Sequence, residues 1–249
     1  MDFYGIIGNP LSQSLSGKYF NDKFTLLGIP SKYELYELHS INELPGLLER
    51  NTRIRGLNVT HPFKQDVLQQ CDELDETASL IRAVNTLKII RNPGKVSIKG
   101  YNTDTDGFAA TLLQLVVDKC PNAMILGSGG AARAVAYVLS RLGASFIVVS
   151  RKPQANMIGY EDISPETIDK YPLVINATPL GMGSLEGLCP DFPYARLSRE
   201  HLLIDLIYNP PETEFLRRGR LAGAKTSNGM LMLQAQAEKS WEIWQNEGE

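Results

Sequence analysis

Lys64 stands in an unusual place for a lysine. It closes the stretch LNVTHPFK, residues 57–64, in which a short apolar run meets a polar pair, then proline, phenylalanine and lysine. A surface turn seldom needs Phe63 beside Pro62, and a core strand seldom hands over to a cation. Proton transfer or charge stabilisation needs such an arrangement, because the ammonium must be held facing a reacting atom rather than swinging in solvent. Asp104, in YNTDTDGF, is the titratable group that pairs best with it. His61 first looks like the acid–base candidate, but one residue from Thr60 on an extended segment it should point the other way.

Other polar residues sit where strands end. Ser14 and Ser16 lie in GNPLSQSLS, Asn85 and Thr86 interrupt IRAVNTLKII, and Asn102, Thr103 and Asp104 precede a helix. Each has an ordinary structural explanation. Serines cap helices; Asp104 or Thr105 can be an N-cap, with Asp106 favoured in the first turn by the helix dipole. Together with Thr60 and Lys64 they form a set suited to a small polyhydroxylated acid. Oxidation or reduction at a carbinol carbon needs a matching proton transfer, which Lys64 and Asp104 can supply.

The redox partner is written in AMILGSGGAARAVAYVLSRLGASFIVVSRK. A strand runs into Gly127, Ser128, Gly129, Gly130, Ala131 and Ala132, and then into a helix, in the spacing G-x-G-x-x-G/A. Gly127 permits the tight turn and Gly129 the close approach of a pyrophosphate. Ala132 lets helix and strand pack, while the helix N-terminus offers N–H groups to the anion. A glycine turn alone is weak, but strand before, helix after and a second strand on time favour dinucleotide binding over a plain turn. An NAD site usually carries Asp or Glu about 20 residues on, at the end of the second strand. Here Ser150, Arg151 and Lys152 take that position. Arg151 can grip a 2′-phosphate bidentately and Lys152 adds charge, so NADP is the expected cofactor.

The elements that position these groups alternate. Strands are expected over 3–8, 32–38 and 56–60, helices over 15–27, 42–50 and 72–83, and a hairpin turns on RNPG with its Pro93–Gly94 pair. A helix over 106–118 opens a second series with strands over 123–126, 145–150, 173–177 and 202–208. Such apolar runs separated by helices imply a parallel sheet covered on both faces. An amphipathic helix over 229–245 ends the chain, and the boundary between halves falls near 103–106.

Bulk properties exclude several classes. The 249 residues carry 25 Lys and Arg against 28 Asp and Glu, without a dense basic run, which argues against nucleic acid. No apolar run approaches the roughly 20 residues of a membrane helix, and the N-terminus does not read as a signal peptide. Cys71, Cys120 and Cys189 are scattered, as are His39, His61 and His201. A cytoplasmic, metal-free protein with reduced thiols is expected.

These segments, in order along almost the whole chain, resemble the shikimate dehydrogenase family: GNPLSQSLS, NVTHPFK, AVNTL, GYNTDTDGF, GSGGAAR, SRK, NATPLGM, DLIYNPPETEFL and NGMLMLQAQAEKSWEIW. NVTxPFK with AVNT and NTD is far more specific than the glycine loop. The resemblance implies an α/β fold of two domains with a cleft between them. A substrate domain would span 1–103, with the helix 229–249 packing back on it, and a Rossmann-type NADP domain would span 104–228. It implies NADP-dependent reduction of 3-dehydroshikimate to shikimate on the route to aromatic amino acids. Ser14 and Ser16 would bind the substrate carboxylate, Thr60, Asn85 and Asp104 its hydroxyls, and Lys64 with Asp104 would form the catalytic pair. A glutamine on the last helix reaches substrate in this family, here Gln236 or the nearby Gln234. Tyr208 would lie near nicotinamide and substrate, Asn176, Thr178 and Gly181 along the cofactor path, and Met230 near the nicotinamide.

The chain departs from the family pattern at Gln13–Gly17, which lacks the usual His and Pro but keeps both serines, and in a short segment over 153–171. Two other functions compete: a quinate/shikimate enzyme of broader range, and a non-catalytic sensor of shikimate or NADP. An intact Lys64/Asp104 pair argues against the sensor. Either a monomer or a homodimer is compatible with the sequence.

Overall fold

The computed structural model describes residues 1–12, 14–116 and 120–246. The chain forms two compact units, residues 1–103 with 236–249, and residues 104–235.

The first unit contains β1 (Asp2–Gly8), α1 (Ser16–Leu26), β2 (Ser31–Glu37), α2 (Leu44–Arg50), β3 (Ile54–Val59), β4 (Glu73–Leu74), α3 (Glu76–Ile81), β5 (Thr86–Asn92) and β6 (Lys95–Tyr101). Its sheet runs β2-β1-β3-β5-β6-β4. β1 pairs in parallel with β2 and β3, while the β5–β6 hairpin enters antiparallel to β3. One consequence fixes the site. The carboxyl ends of β1, β3 and β6 and the amino end of β5 all lie at the same edge of the sheet, with Ile7 opposite Val59, Asn58 opposite Thr86, and Thr86 opposite Tyr101.

The second unit contains α4 (Asp104–Leu115), β7 (Ala123–Leu126), α5 (Gly130–Arg141), β8 (Phe146–Val149), β9 (Met157–Ile158), α6 (Pro165–Lys170), β10 (Leu173–Asn176), β11 (Leu202–Asp205), α7 (Glu214–Leu221), β12 (Lys225–Ser227) and the start of α8 (Met230–Gln245). All its strands are parallel, in the order β12-β11-β10-β7-β8-β9. Counted from β7 this is the doubly wound order 3-2-1-4-5-6, whose direction of winding reverses between β7 and β10. The central strands β7 and β10 are short and wholly buried, as a sheet covered on both faces demands.

Several expected boundaries move. The helix expected over 72–83 is a two-residue strand followed by α3. Asp72 exchanges backbone and side-chain bonds with Ile98, which draws 73–74 beside β6, and the Asp75 carboxylate accepts from Ala78 N–H and starts the helix there. The helix expected over 106–118 is Asp104–Leu115, and residue 118 lies outside the described residues. The strand expected over 202–208 ends at Asp205, whose side chain turns back on Ile207 N–H. The whole of 229–249 was expected to pack with the first half, whereas residues up to 235 cluster with the second unit and the first unit takes the chain back at Gln236.

From there α8 packs on β1 and α1. Trp244 stacks on Tyr4 with ring centroids 4.9 Å apart and meets Phe20 at 5.4 Å, and its indole N–H donates to the Leu87 carbonyl at 3.0 Å. Its ring occupies the space a Cβ on Gly56 would fill, only 2.2 Å from that position. Gly56→Ala must displace the indole, and overpacking of this kind costs about 1–3 kcal/mol. Trp244→Ala should cost about 3–5 kcal/mol. Chemical unfolding of both variants, followed by far-UV circular dichroism, checks these losses.

Candidate active site

Backbone hydrogen bonds hold the Lys64 segment at the sheet edge. Thr60 N–H donates to Ile7 O at 2.9 Å, Val59 N–H to Asn85 O at 2.8 Å, and Val84 N–H to Lys64 O at 2.7 Å. The turn at 61–65 buries Phe63 in the core of the first unit, while His61 is exposed. Gly8 is required for close approach: a Cβ there would lie 2.4 Å from the Thr60 methyl. Ser14 and Ser16 follow the same edge of β1, and Ser16 N–H donates to Ser14 Oγ at 3.4 Å just where α1 begins, next to an N-cap residue, Leu15, that makes no side-chain cap.

Asn85 and Thr103 meet directly. Asn85 Oδ1 accepts from Thr103 N–H at 2.7 Å, and Asn85 Nδ2 donates to Thr103 Oγ1 at 3.0 Å. The backbone is thereby fixed one residue before Asp104, a buried carboxylate in the first turn of α4, where the helix dipole favours negative charge. Gln236 is half-buried and opens the returning segment of the first unit, whereas Gln234 is exposed and clusters with the second.

The residues expected at the cofactor gather at the carboxyl edge of the second sheet. Gly127 follows β7 with φ +109°, a left-handed conformation, and a Cβ there would lie 3.0 Å from Ala177 O at the end of β10. Those two strands flank the topological switch point. Gly129 is the N-cap of α5, with no side-chain cap and no protein atom within 4 Å of where its Cβ would be. Packing does not ask for glycine there, and the open N-terminus of a 12-residue helix is a place suited to an anion. Gly130 and Ala131 begin that helix, and Ala132 is buried against the sheet. Ser128 Oγ lies 3.3 Å from Ser150 Oγ, and Ser150 Oγ accepts from Lys152 N–H at 3.3 Å, tying the glycine loop to the end of β8. Arg151 and Lys152 are exposed beside it, and no carboxylate occupies 150–152. This donor set fits an adenosine 2′-phosphate.

Asn176 is fully buried and serves the β10 loop. Its Oδ1 accepts from Thr178 N–H and Thr178 Oγ1 at 3.0 and 2.7 Å, and its Nδ2 donates to Asp205 Oδ1 at 3.1 Å. Gly181, at φ +113°, packs against Thr213. Tyr208 follows β11, and Met230 N–H donates to Asn228 Oδ1 at 3.1 Å at the start of α8.

Two groups escaped the sequence reading. Asp205 accepts from Thr213 Oγ1, Ile207 N–H and Asn176 Nδ2, and so links the end of β10 to both ends of the loop between β11 and α7. A lone acid inside LLIDLIY was the available signal. In the first unit, Asn58 and Ser240 form a buried polar cluster with Thr86, treated below; the signals were an asparagine between Leu57 and Val59 and a serine at core spacing between Ala237 and Trp244.

The fold and this edge define a dinucleotide-binding α/β protein with a second, mixed-sheet unit. Residues 6–87 match the family model for the shikimate dehydrogenase substrate binding domain. A shikimate dehydrogenase (NADP(+)) from Clostridium beijerinckii is 40% identical, over 98% of this chain and 92% of that protein. One from Pyrococcus abyssi is 36% identical over 98% and 92%. Among solved structures, a shikimate 5-dehydrogenase from Thermus thermophilus in complex with NADP(H) and shikimate superimposes with TM-score 0.85 at 30% identity, covering 98% of this chain and 94% of that one. The chain belongs to the shikimate dehydrogenase family.

Burial pushes the Asp205 carboxyl up to about 6, against the three donors that favour its ionised form. The folded protein therefore binds this proton at a pH where the unfolded chain, titrating near ~3.9, has released it. Stability from this group is fully present below about pH 4 and is lost as pH rises through about 6, a change on the order of 3 kcal/mol. Asp205→Asn should remove that component, so that the wild-type advantage over the variant shrinks from pH 4 to pH 7. Unfolding midpoints of both proteins across that range measure it.

Proposed function

We infer that this chain is an NADP-dependent shikimate dehydrogenase, reversibly reducing 3-dehydroshikimate to shikimate in aromatic amino-acid biosynthesis. The observation that carries the reading is the paired construction: a strand-edge set of hydroxyl, amide and lysine groups in one unit, and a glycine loop at the switch point of a doubly wound sheet in the other. Kinship over nearly the whole chain with proteins named for this reaction supports it.

When bound, the nicotinamide supplies or accepts the hydride at the C3 carbon. The chain's own residues do the rest. Lys64 gives the proton to the C3 oxygen, or holds its developing charge, and Asp104 orients the lysine and the neighbouring hydroxyl. Ser14 and Ser16 take the carboxylate, and Thr60, Asn85 and Gln236 the ring hydroxyls. Tyr208 and Met230 would lie near the nicotinamide, Gly127 to Ala131 would hold the pyrophosphate, Ser150 to Lys152 would hold the 2′-phosphate, and Asn176, Thr178 and Gly181 would line the cofactor path. Gln236 is half-buried while Gln234 is exposed, which favours Gln236 as the glutamine that reaches substrate. The enzyme is placed in the cytoplasm, as a monomer or homodimer, in keeping with three free thiols; among the described residues no helix is long and apolar enough to cross a membrane.

Lys64→Ala should lower kcat by about a hundredfold or more while KM for shikimate changes by only a few fold. An unchanged kcat removes the lysine from the chemistry. Arg151→Ala should raise KM for NADP+ by about tenfold and leave the rate with NAD+ nearly unchanged. Initial rates on shikimate and quinate with each cofactor, read at 340 nm, decide between the strict and the broader enzyme, and shikimate with NADP+ should lead.

A further inference from the structure

Ser240 is fully buried on α8, one turn after Gln236. Serine in a helix ordinarily bonds back to the carbonyl four residues earlier, and Ser240 Oγ–H does so, donating to Gln236 O at 2.9 Å. That bond alone would be unremarkable. The same oxygen also lies 2.9 Å from Asn58 Nδ2, 2.8 Å from Thr86 Oγ1 and 3.2 Å from Thr103 Oγ1. Asn58 cannot turn its amide over, because its Nδ2 faces the Asn85 carbonyl at 3.4 Å, an oxygen that only accepts, while its Oδ1 accepts from Tyr33 O–H at 2.8 Å. Its Nδ2 must therefore donate, to Ser240 and at 3.2 Å to Thr86. With the serine proton committed to Gln236 O, the second donor to Ser240 Oγ is a threonine hydroxyl, Thr86 at 2.8 Å or Thr103 at 3.2 Å, each of which also reaches Asn85 Oδ1 at 3.2 Å. The oxygen thus accepts twice and donates once, its full capacity.

These bonds join elements that local structure does not join. Thr86 and Asn85 begin β5, Thr103 follows β6, Asn58 lies in β3, and Gln236 opens the returning helix. Asn85 is itself bound to Thr103 through both its amide atoms. We propose that Ser240 is a positioning residue for substrate binding, its hydroxyl fixing the register of α8 so that Gln236 and Asn85 present their amides in one arrangement. The proposal rests on the reading that those two amides contact shikimate.

The test is a cycle of Ser240→Ala, Gln236→Ala and the double variant in the full-length enzyme, with KM for shikimate, KM for NADP+ and kcat measured on each. Ser240→Ala should raise KM for shikimate roughly tenfold, with a smaller change in kcat and KM for NADP+ within about twofold; in the Gln236→Ala background the added rise should fall to less than about threefold. If Ser240→Ala gives no folded protein, Thr86→Val removes the same hydroxyl partner at nearly equal shape and is judged by the same outcomes. A lowered melting temperature with both KM values unchanged makes the serine merely structural and overturns the proposal. So do fully additive effects beside an impaired Gln236→Ala enzyme, which leave the reading of the glutamine standing. A Gln236→Ala enzyme with wild-type KM overturns that reading and the proposal together.

Discussion

Trp244 lies against the backbone of Gly56 because no side chain stands between them, and much of the first unit follows from that contact. The indole places α8 across β1 and β3, with its N–H on Leu87 O and its face on Tyr4. A helix seated there presents Ala237, Ser240 and Trp244 on one buried stripe. The stripe is apolar except at its middle, where Ser240 meets Asn58 and Thr86. Buried hydroxyls and amides are tolerated in such a place only when each finds partners, since an unpaired one forfeits its hydration without return. The cluster meets that condition because three strand ends deliver donors and acceptors to one point.

The second unit solves a different problem with similar means. Parallel strands leave their carboxyl ends without a hairpin to close them, so loops must bridge the switch point between β7 and β10. Gly127 allows one loop to press on Ala177 of the other. Asn176 and Asp205 then tie the loops after β10 and β11 to each other and to the start of α7 through Thr213. A carboxylate at this depth is held by donors alone, and burial still outweighs them, which is why its proton is retained to a higher pH than usual. Tyr208 follows directly on Ile207, whose N–H that carboxylate accepts.

What the sequence made legible was local. The glycine loop, the hairpin at RNPG and the lysine turn carry their reasons within a few residues, and each lies where it was expected. β4, β9 and β12, of two or three residues, carry no periodicity of their own and exist because a neighbouring strand offers a ladder. The helix expected over 72–83 failed for the same reason: its acidic start bonds to Ile98, 26 residues away. Asn58 and Ser240 are separated by 182 positions. No window along the chain shows that an asparagine in a strand donates to a serine in the last helix.

The lysine turn shows how such distant pairings bear on chemistry. Val84 N–H holds the Lys64 carbonyl, Val59 N–H holds Asn85 O, and Asn85 N–H holds Tyr101 O, so the lysine and the asparagine hang from one run of backbone bonds at the sheet edge. A shift in β5 moves both. Thr86, next to Asn85 in that strand, is where the α8 cluster attaches. The residues that touch substrate in the proposed reaction are thus not placed by their own loops. They are placed by a mixed sheet in which an antiparallel hairpin turns its amino end toward the carboxyl ends of parallel neighbours, and a fully parallel sheet of the same strands would carry Asn85 to the opposite edge from Lys64.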